Sequence, residues 1–196
     1  SKCGICDWEN FSENKSLLKK NILSGKKSSN PFSTLLIYDL PHLHKKSSKI
    51  FFESEYNKNS FKKIIKELPR NKKVHIGYYS SDFHNHATMY LMANLFELHD
   101  RSKFQIYAFS FGQDDNSEIR NRVSKTFDKF LDVRLKTDEQ IVEMSRELKI
   151  DIAVDLKGFT INNRFGIFVK RCAPLQISYL GYPGTIGSNC IDYLIA

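Results

Sequence analysis

Residues 80–88 of this 196-residue chain, Ser-Ser-Asp-Phe-His-Asn-His-Ala-Thr, place several side chains that can hold or move a proton in one short stretch. The stretch follows an apolar run at 74–79 and precedes a helical pattern. The carboxylate of Asp82 can accept a proton or orient a neighbour. The imidazole of His86 can donate to an anionic oxygen or shuttle a proton. Thr88 adds a hydroxyl, and the N–H groups of a first helical turn favour a bound anion such as phosphate.

The same stretch also has structural explanations. Asp82 is a suitable N-cap for the helix that follows, because a carboxylate there accepts from the first backbone N–H groups. His84 and His86 are two residues apart and could ligate a metal, but no third ligand is evident, and His84 is expected to be exposed. The stretch alone therefore does not decide between chemistry and a helix cap.

Two further loops follow apolar runs later in the chain. The first, Asp155-Leu-Lys-Gly-Phe-Thr160, is polar, and the second, Gly181-Tyr-Pro-Gly-Thr-Ile-Gly187, is rich in glycine. Glycines 181, 184 and 187 let a backbone approach a ligand closely, and Pro183 stiffens the loop. The second loop could instead be a plain turn, and Asp155 and Thr160 could simply close the first loop and cap the next helix. Neither a Walker loop nor a GxGxxG that opens a helix is present, so ATP hydrolysis and NAD binding are not indicated.

Strands and helices are predicted to alternate after residue 71. Such alternation is typical of an α/β fold, a Rossmann-like doubly wound parallel sheet with helices on both faces. Ligands of such sheets bind at the carboxyl ends of the strands, where all three loops would lie. The predicted strands are 74–79, 104–111, 130–133, 150–156, 175–180 and 191–195, and the predicted helices are 86–99, 117–127, 138–149 and 163–170.

Residues 1–70 are predicted to form a separate helical lead-in region. A helix over 7–23 would place Trp8, Phe11, Leu18 and Ile22 near one face. A turn with a possible cap is predicted at 30–33, and a second helix from residue 41 to about 57. The chain starts without a Met and ends inside a predicted strand, so both ends look cut from a longer protein.

Charge and cysteine content narrow the classes of function. The net charge is +8, and residues 1–75 hold 16 Lys and Arg against 7 Asp and Glu. This basic half could bind nucleic acid, but the lysines are dispersed as on a solvated surface and no RNA-binding signature is present. Cys3 and Cys6 have a CxxC spacing without a second pair, so reduced cysteines are expected rather than zinc. No apolar run is long enough for a transmembrane helix.

Taken together, three segments resemble the glycosyltransferase family that includes protein O-GlcNAc transferase and the plant SPINDLY proteins. These segments are Gly77–Thr88, Asp155–Thr160 and Arg171–Gly187, followed by Asp192–Ile195. Their order and spacing fit across about residues 70–196. The resemblance implies two Rossmann-like lobes preceded by tetratricopeptide repeats. This chain is similar to the amino-terminal lobe of the two, with the nucleotide-sugar-binding lobe after it, and such a segment is expected to be inactive alone.

The resemblance also implies a reaction and the residues that perform it. The reaction would take place in the cytoplasm and transfer a sugar, most simply GlcNAc from UDP-GlcNAc, to Ser or Thr hydroxyls of proteins with inversion, without a metal or other cofactor. By position, His86 matches a histidine beside the reacting sugar, and Asp82 matches a base or proton relay. The matched substrate-binding positions are Asn85, Thr88, Leu180, Gly181, Pro183, Gly184 and Thr185.

Three positions depart from the animal members of that family. Ala87 replaces a proline, Tyr90 replaces a histidine, and Phe32 aligns with another histidine in the lead-in region. These departures leave the sugar and the acceptor open. A GDP-fucose-dependent protein O-fucosyltransferase and a non-catalytic lobe that binds proteins are the alternatives, and a nucleic-acid binder ranks below them.

Overall fold

The computed structural model describes residues 5–56 and 71–196. The chain divides into two compact units. One is helical and comprises Ser1–Glu55 with Gly184–Ser188, and the other contains a sheet and comprises Tyr56–Pro183 with Asn189–Ala196. The boundary predicted between residues 70 and 71 lies at the edge of the undescribed residues 57–70. Among the described residues, no helix is long and apolar enough to cross a membrane.

The helical unit contains α1 (Phe11–Leu23), α2 (Pro31–Ile37) and α3 (Pro41–Glu55). Its small core is built around Ile22, Tyr38 and Leu43, all of which are buried. The turn predicted at 30–33 opens α2: the Asn30 side chain accepts from the backbone N–H of Phe32, and proline occupies the first helical position.

The predicted first helix is correct from Phe11 to Leu23 and wrong at its start. Trp8 precedes α1 and is 59% exposed, so it does not belong to a buried face. Asn10 at the N-cap has a left-handed backbone (φ 55°) and makes no side-chain capping bond, and the helix begins only at Phe11. Helix α2 was not predicted, because seven residues give too few turns for a helical period to show.

The sheet unit is a six-stranded parallel sheet in the order β3-β2-β1-β4-β5-β6. This is the strand order of a Rossmann fold, so the predicted fold class is confirmed. The strands are β1 (Val74–Ser80), β2 (Phe104–Ser110), β3 (Lys129–Asp132), β4 (Ile152–Asp155), β5 (Leu175–Tyr179) and β6 (Tyr193–Ile195), and the helices are α4 (Ala87–Glu97), α5 (Glu118–Ser124), α6 (Asp138–Glu147) and α7 (Gly166–Val169).

Alternate residues of β1 face opposite layers of helices. Tyr78 points into a core that includes Phe96 of α4 and Val123 of α5. Its neighbour Tyr79 points the other way, stacks on Phe109 at 4.3 Å between ring centroids, and its hydroxyl lies 2.6 Å from Ser145 of α6. Burial on both faces follows from helices on both sides of a parallel sheet.

The carboxyl ends of β1 and β4 lie side by side, with Tyr79 of β1 paired to Asp155 of β4. The chain runs outward from β1 to β2 and β3 on one side, and from β4 to β5 and β6 on the other. The strand order therefore reverses between β1 and β4. Open α/β sheets bind their ligands in the crevice outside the carboxyl ends of the strands at such a switch point.

Candidate active site

The loop after β1 places Asp82 at this switch point. The backbone N–H of Asp82 donates to Ser80 Oγ at 2.9 Å, and the Ser81 hydroxyl donates to Asp82 Oδ1 at 2.9 Å. A Cβ on Gly112, in the loop after β2, would lie 1.7 Å from the carbonyl oxygen of Ser81. Only glycine lets the two loops approach this closely. The adjacent loop thus fixes the backbone that carries Asp82.

Asp82 is not the helix cap that the sequence also allowed. Its carboxylate forms a two-pronged ion pair with Lys157, from the loop after β4, with Nζ 2.9 Å from Oδ1 and 2.7 Å from Oδ2. The side chains of Lys157 and Asp82 are 8% and 9% exposed. Buried charges are stable in proteins only when they are paired. A buried salt bridge therefore joins the loop after β1 to the loop after β4.

The loop that carries Lys157 is closed by Asp155. The Asp155 carboxylate accepts from the backbone N–H groups of Lys157 and Gly158, at 2.9 and 3.0 Å, and the Thr160 hydroxyl donates to the Lys157 carbonyl at 2.8 Å. Burial raises the pKa of Asp155 to about 6, although these two hydrogen bonds and the charge of Lys157 act to lower it. Asp155 and Thr160 thus close the loop, as the structural explanation expected.

His86 is the N-cap of α4. Its Nδ1 accepts from the backbone N–H of Thr88 at 3.2 Å and lies 3.1 Å from the Thr88 hydroxyl. The first-turn N–H of Thr88 is therefore already bonded within the protein. His86 Nδ1 also lies 3.8 Å from Asp82 Oδ2, and the imidazole is 42% exposed. The ring consequently faces Asp82 with one edge and solvent with the other.

Asn85 sits on the exposed rim of the site, where the loop after β2 holds it. Its backbone N–H donates to Asp115 Oδ2 at 2.8 Å, and its side-chain oxygen accepts from the Tyr90 hydroxyl at 3.0 Å. Burial acts to raise the pKa of Asp115, but hydrogen bonds from Asn85 and Ser117 outweigh it and lower the pKa to about 2. His84, expected to be exposed, is partly buried with Nδ1 4.0 Å from Asp115.

Arg120 of α5 also holds the loop after β1 in place. Its guanidinium donates to the carbonyl of Phe83 at 2.5 Å, pairs with Asp114 at 2.7 Å and lies over the ring of Phe130. The arginine is 5% exposed, so this cation is shielded from water and held by fixed partners. The loop after β1 is thus anchored at its backbone as well as at Asp82.

The loop after β5 packs against the loop that carries Lys157. Leu180 has a left-handed backbone (φ 61°), and its side chain is partly exposed. A Cβ on Gly181 would lie 1.7 Å from the carbonyl oxygen of Leu156, and one on Gly158 would lie 2.4 Å from Cβ of Tyr182. The glycines therefore serve loop-to-loop packing in this unit, and Pro183 follows on the surface.

The other predicted residues of that loop belong to the helical unit. Gly184 and Thr185 lie in the segment Gly184–Ser188, which belongs to the same compact unit as Ser1–Glu55. There the Thr185 hydroxyl oxygen accepts from the backbone N–H of Gly187 at 3.2 Å. A Cβ on Gly187 (φ 69°) would lie 2.9 Å from the backbone nitrogen of Lys49 in α3. The predicted substrate-binding segment is thus divided between the two units.

Lys157 is the residue that sequence reasoning missed. The segment from Asp155 to Thr160 was identified as a polar loop at the correct edge of the sheet, but no role was given to its lysine. A signal was available: the lysine stands two residues after a nearly all-apolar strand, where an unpaired ammonium would be costly. Its partner Asp82, 75 residues earlier, cannot be identified without the strand order.

Among the described residues, no group of three or more His, Cys, Asp or Glu side chains is placed to hold a metal ion. Cys3, one half of the CxxC spacing, lies outside the described residues. Cys172 is buried, its thiol lies 3.3 Å from the side-chain oxygen of Gln176, and burial raises its pKa to about 12. A thiol in this state is not a ready nucleophile.

Residues 5–196 match the family model of glycosyl transferase family 41. The chain is 39% identical over 124 residues to the probable UDP-N-acetylglucosamine–peptide N-acetylglucosaminyltransferase SEC of Arabidopsis thaliana, a match that covers 63% of this chain and 13% of that protein. It is 28% identical over 211 residues to the UDP-N-acetylglucosamine–peptide N-acetylglucosaminyltransferase of Caenorhabditis elegans, covering 97% of this chain and 18% of that protein.

A SPINDLY protein of Arabidopsis thaliana is 34% identical over 125 residues, covering 62% of this chain and 14% of that protein. The chain therefore spans less than a fifth of the length of these curated relatives. Among solved structures, a mutant of Thermobaculum terrenum O-GlcNAc transferase superimposes with a TM-score of 0.74 at 23% identity, over 96% of this chain and 35% of that one. This similarity supports the fold.

Proposed function

This chain belongs to glycosyl transferase family 41, and we propose that the protein containing it transfers GlcNAc from UDP-GlcNAc to Ser and Thr hydroxyls of acceptor proteins, inverting the anomeric centre. Relatives from a plant and an animal are named as UDP-GlcNAc–peptide N-acetylglucosaminyltransferases. A relative named SPINDLY carries the same activity in its name. These names favour GlcNAc over another sugar as the first donor to test.

One observation carries the assignment of the site. His86, Asp82 and Lys157 meet at the switch point of the sheet, where α/β folds bind ligands, and the imidazole of His86 is partly exposed there. In the proposed reaction His86 contacts the reacting groups, and Asp82 sets the charge and orientation around it. Asn85 and Thr88 form the adjacent rim, and Leu180, Gly181, Pro183, Gly184 and Thr185 are proposed to contact the donor through the backbone.

The proposed reaction needs a nucleotide sugar as substrate and no resident metal. Two carboxylates of this rim, Asp82 and Asp155, are engaged by Lys157 and by backbone N–H groups. Neither is therefore available to a cation without breaking those bonds. The proposed partners are the acceptor proteins, and, within the same polypeptide, a carboxyl-terminal nucleotide-binding lobe and upstream tetratricopeptide repeats. The proposed location is the cytoplasm.

The test uses the full-length protein with UDP-GlcNAc and, separately, GDP-fucose. Nucleotide release and the mass gain of acceptor proteins are measured for the wild type, His86→Ala and His84→Ala. We expect turnover with UDP-GlcNAc that falls at least about 100-fold in His86→Ala, the size typical of losing a polar group that contacts the reacting atoms. His84→Ala is the matched control: its ring lies beside that of His86, but its ion-pair partner is Asp115.

Three results would contradict the proposal. Turnover with GDP-fucose instead of UDP-GlcNAc would show that GDP-fucose is the donor and would leave the assignment of the site unchanged. Full activity of folded His86→Ala would remove the site. Absence of turnover with either donor, from a folded full-length protein, would favour a lobe that binds proteins without catalysis.

A further inference from the structure

The hydrogen bonds of His86 define which of its ring nitrogens carries the proton. A backbone N–H can only donate, and that of Thr88 points at His86 Nδ1 from 3.2 Å. Nδ1 must therefore present its lone pair, and in the neutral ring the proton resides on Nε2. The alternative, a protonated Nδ1 paired with Asp82, is supported only by the longer distance of 3.8 Å. The shorter contact to Thr88 therefore determines the tautomer.

The ion pair with Lys157 explains why the Asp82 carboxylate does not draw a proton to Nδ1 of His86. The Lys157 ammonium holds both oxygens of the Asp82 carboxylate, and the Ser81 hydroxyl holds one of them as well. Oδ2, the oxygen that faces His86, makes its 2.7 Å bond to Lys157. Without that ammonium, a carboxylate 3.8 Å away would attract a proton to Nδ1, because a buried carboxylate needs a donor or a cation.

We propose that Lys157 is a positioning residue that holds Asp82 away from His86 and thereby keeps the His86 ring as the Nε2–H tautomer. In this state His86 is a hydrogen-bond donor toward the crevice, not an acceptor of the hydroxyl proton. Nε2 has no hydrogen-bond partner among the described residues, so its proton is available to a substrate oxygen. This role in catalysis rests on the proposed function, whereas the tautomer does not.

The position of Lys157 is built into the fold. Its backbone N–H is held by Asp155, its carbonyl accepts from Thr160, and the loop is packed against Gly181. The aliphatic stem must lie among buried groups, since the whole residue is 6% exposed. Within the part of the chain that the structure describes, the titratable groups in contact with the His86 ring are Asp82 and the neighbouring His84, which is directed to Asp115. Lys157 is thus the cation placed to neutralise Asp82.

The proposal is tested by nitrogen NMR of the histidine rings in the full-length protein, deuterated and labelled with ¹⁵N at histidine. The His86 signals are assigned from their absence in His86→Gln. The wild type is expected to show a hydrogen on Nε2 and none on Nδ1. Lys157→Met is expected to place a hydrogen on Nδ1 at the same pH. The double variant Asp82→Asn/Lys157→Met removes both charges and is expected to return to the wild-type pattern.

A purely structural role for Lys157 predicts a different result. In that case Lys157→Met would alter stability but leave the ring protonation of His86 unchanged, which would overturn the proposal. Lys170→Met is the matched control, since it breaks a 2.7 Å ion pair with Glu139 on α6 and should leave the His86 signals unchanged. If Lys157→Met does not fold, the wild-type spectrum still decides, because a hydrogen on Nδ1 there excludes the proposal outright.

Kinetics separate this inference from the proposed function. With UDP-GlcNAc, Lys157→Met is expected to lower kcat at least about tenfold while KM changes less, the pattern of an interaction that acts on the reacting groups. Lys157→Arg retains a cation beside Asp82 and should recover part of that loss. Absence of wild-type turnover would contradict the proposed function, yet the NMR result would still stand. A wild-type turnover that Lys157→Met leaves unchanged would overturn the catalytic part of the inference.

Discussion

At the scale of single residues, the switch point carries two buried aspartates that are bonded in different ways. Asp82 is paired with an ammonium, whereas Asp155 accepts two backbone N–H groups and has the Lys157 charge nearby. Burial dominates at Asp155 and raises its pKa to about 6, above the ordinary value of 3.8. Asp155 therefore holds its proton more tightly in the folded protein than in the unfolded chain.

This difference predicts how stability depends on pH. Below about pH 3 Asp155 is protonated in both states and costs nothing. As the pH rises from 3 to about 7, the unfolded chain ionises first, so the folded state loses roughly 3 kcal/mol in all relative to a variant without the carboxyl group. We expect the free energy of local unfolding of the wild type, compared with Asp155→Asn, to fall by about 2 kcal/mol between pH 4 and 6.5.

Hydrogen exchange of β4 peptides in the full-length protein, corrected for the intrinsic rate at each pH, measures this difference. Asp115→Asn provides the contrast. The pKa of Asp115 is lowered to about 2, so its stabilising contribution is complete above the unfolded value and constant from about pH 4.5 upward. A difference between wild type and Asp155→Asn that stays constant with pH would show that the carboxyl group is not destabilised by burial.

At the scale of elements, the site depends on how tightly the loops at the carboxyl ends of the strands pack together. Gly112 lies against Ser81, and Gly181 lies against Leu156 and the backbone nitrogen of Lys157. In each case an added Cβ would overlap a carbonyl oxygen at 1.7 Å, which backbone movement alone can relieve. The ion pair between Asp82 and Lys157 is held in register by these two contacts.

Gly181→Ala is therefore expected to displace the loop that carries Lys157. We expect a loss of at least about 2 kcal/mol in local stability, at the upper part of the range for inserting a methyl group into a packed site, together with a fall in kcat. Gly25→Ala is the control: its Cβ meets nothing within 4 Å, although φ is +80°. That variant should lose only about 1 kcal/mol, the cost of a left-handed backbone, and keep its activity.

Hydrogen exchange of the segment 156–160 in Gly181→Ala, of the segment around residue 25 in Gly25→Ala, and steady-state turnover of both variants measure these effects. Gly181 does not have a left-handed backbone, so unchanged exchange of the segment 156–160 in Gly181→Ala would show that the close approach of the loops does not require glycine there.

The sheet could be predicted from the sequence because its signal is local. Each predicted strand overlaps an observed one, and the apolar runs that end at Tyr79 and Asp155 put their loops at one edge. Helix boundaries were less well predicted. The region 163–170 contains a helix only from Gly166 to Val169, because a helix of four residues is set by tertiary contacts such as that between Phe168 and Tyr79.

The site was predictable only in part, for a related reason. Asp82 and His86 lie in one short motif, so their proximity follows from the sequence. The ion pair of Asp82 with Lys157 joins loops 75 residues apart and depends on β1 and β4 being neighbours. Likewise, Gly184 and Thr185 follow Pro183 directly, yet they belong to a different compact unit. Contacts of this kind cannot be predicted without knowing the order of the strands.

At the scale of the whole molecule, the described chain leaves one sheet edge apolar. Strand β6 pairs with β5, and Tyr193, Leu194 and Ile195 are 63%, 54% and 49% exposed. Among the described residues, nothing pairs with the other side of β6. An exposed apolar edge strand is a template for pairing with another chain.

When residues 1–196 are produced alone, we expect them to associate through this edge. Leu194→Lys should reduce the association, because an edge lysine opposes strand pairing between copies. The matched control is Leu135→Lys, which replaces a leucine that is 100% exposed in a turn outside the sheet. Sedimentation velocity and light scattering over a range of concentrations would compare the variants. If Leu135→Lys reduces association as much as Leu194→Lys, general surface apolarity is responsible, and the strand edge has no special part in it.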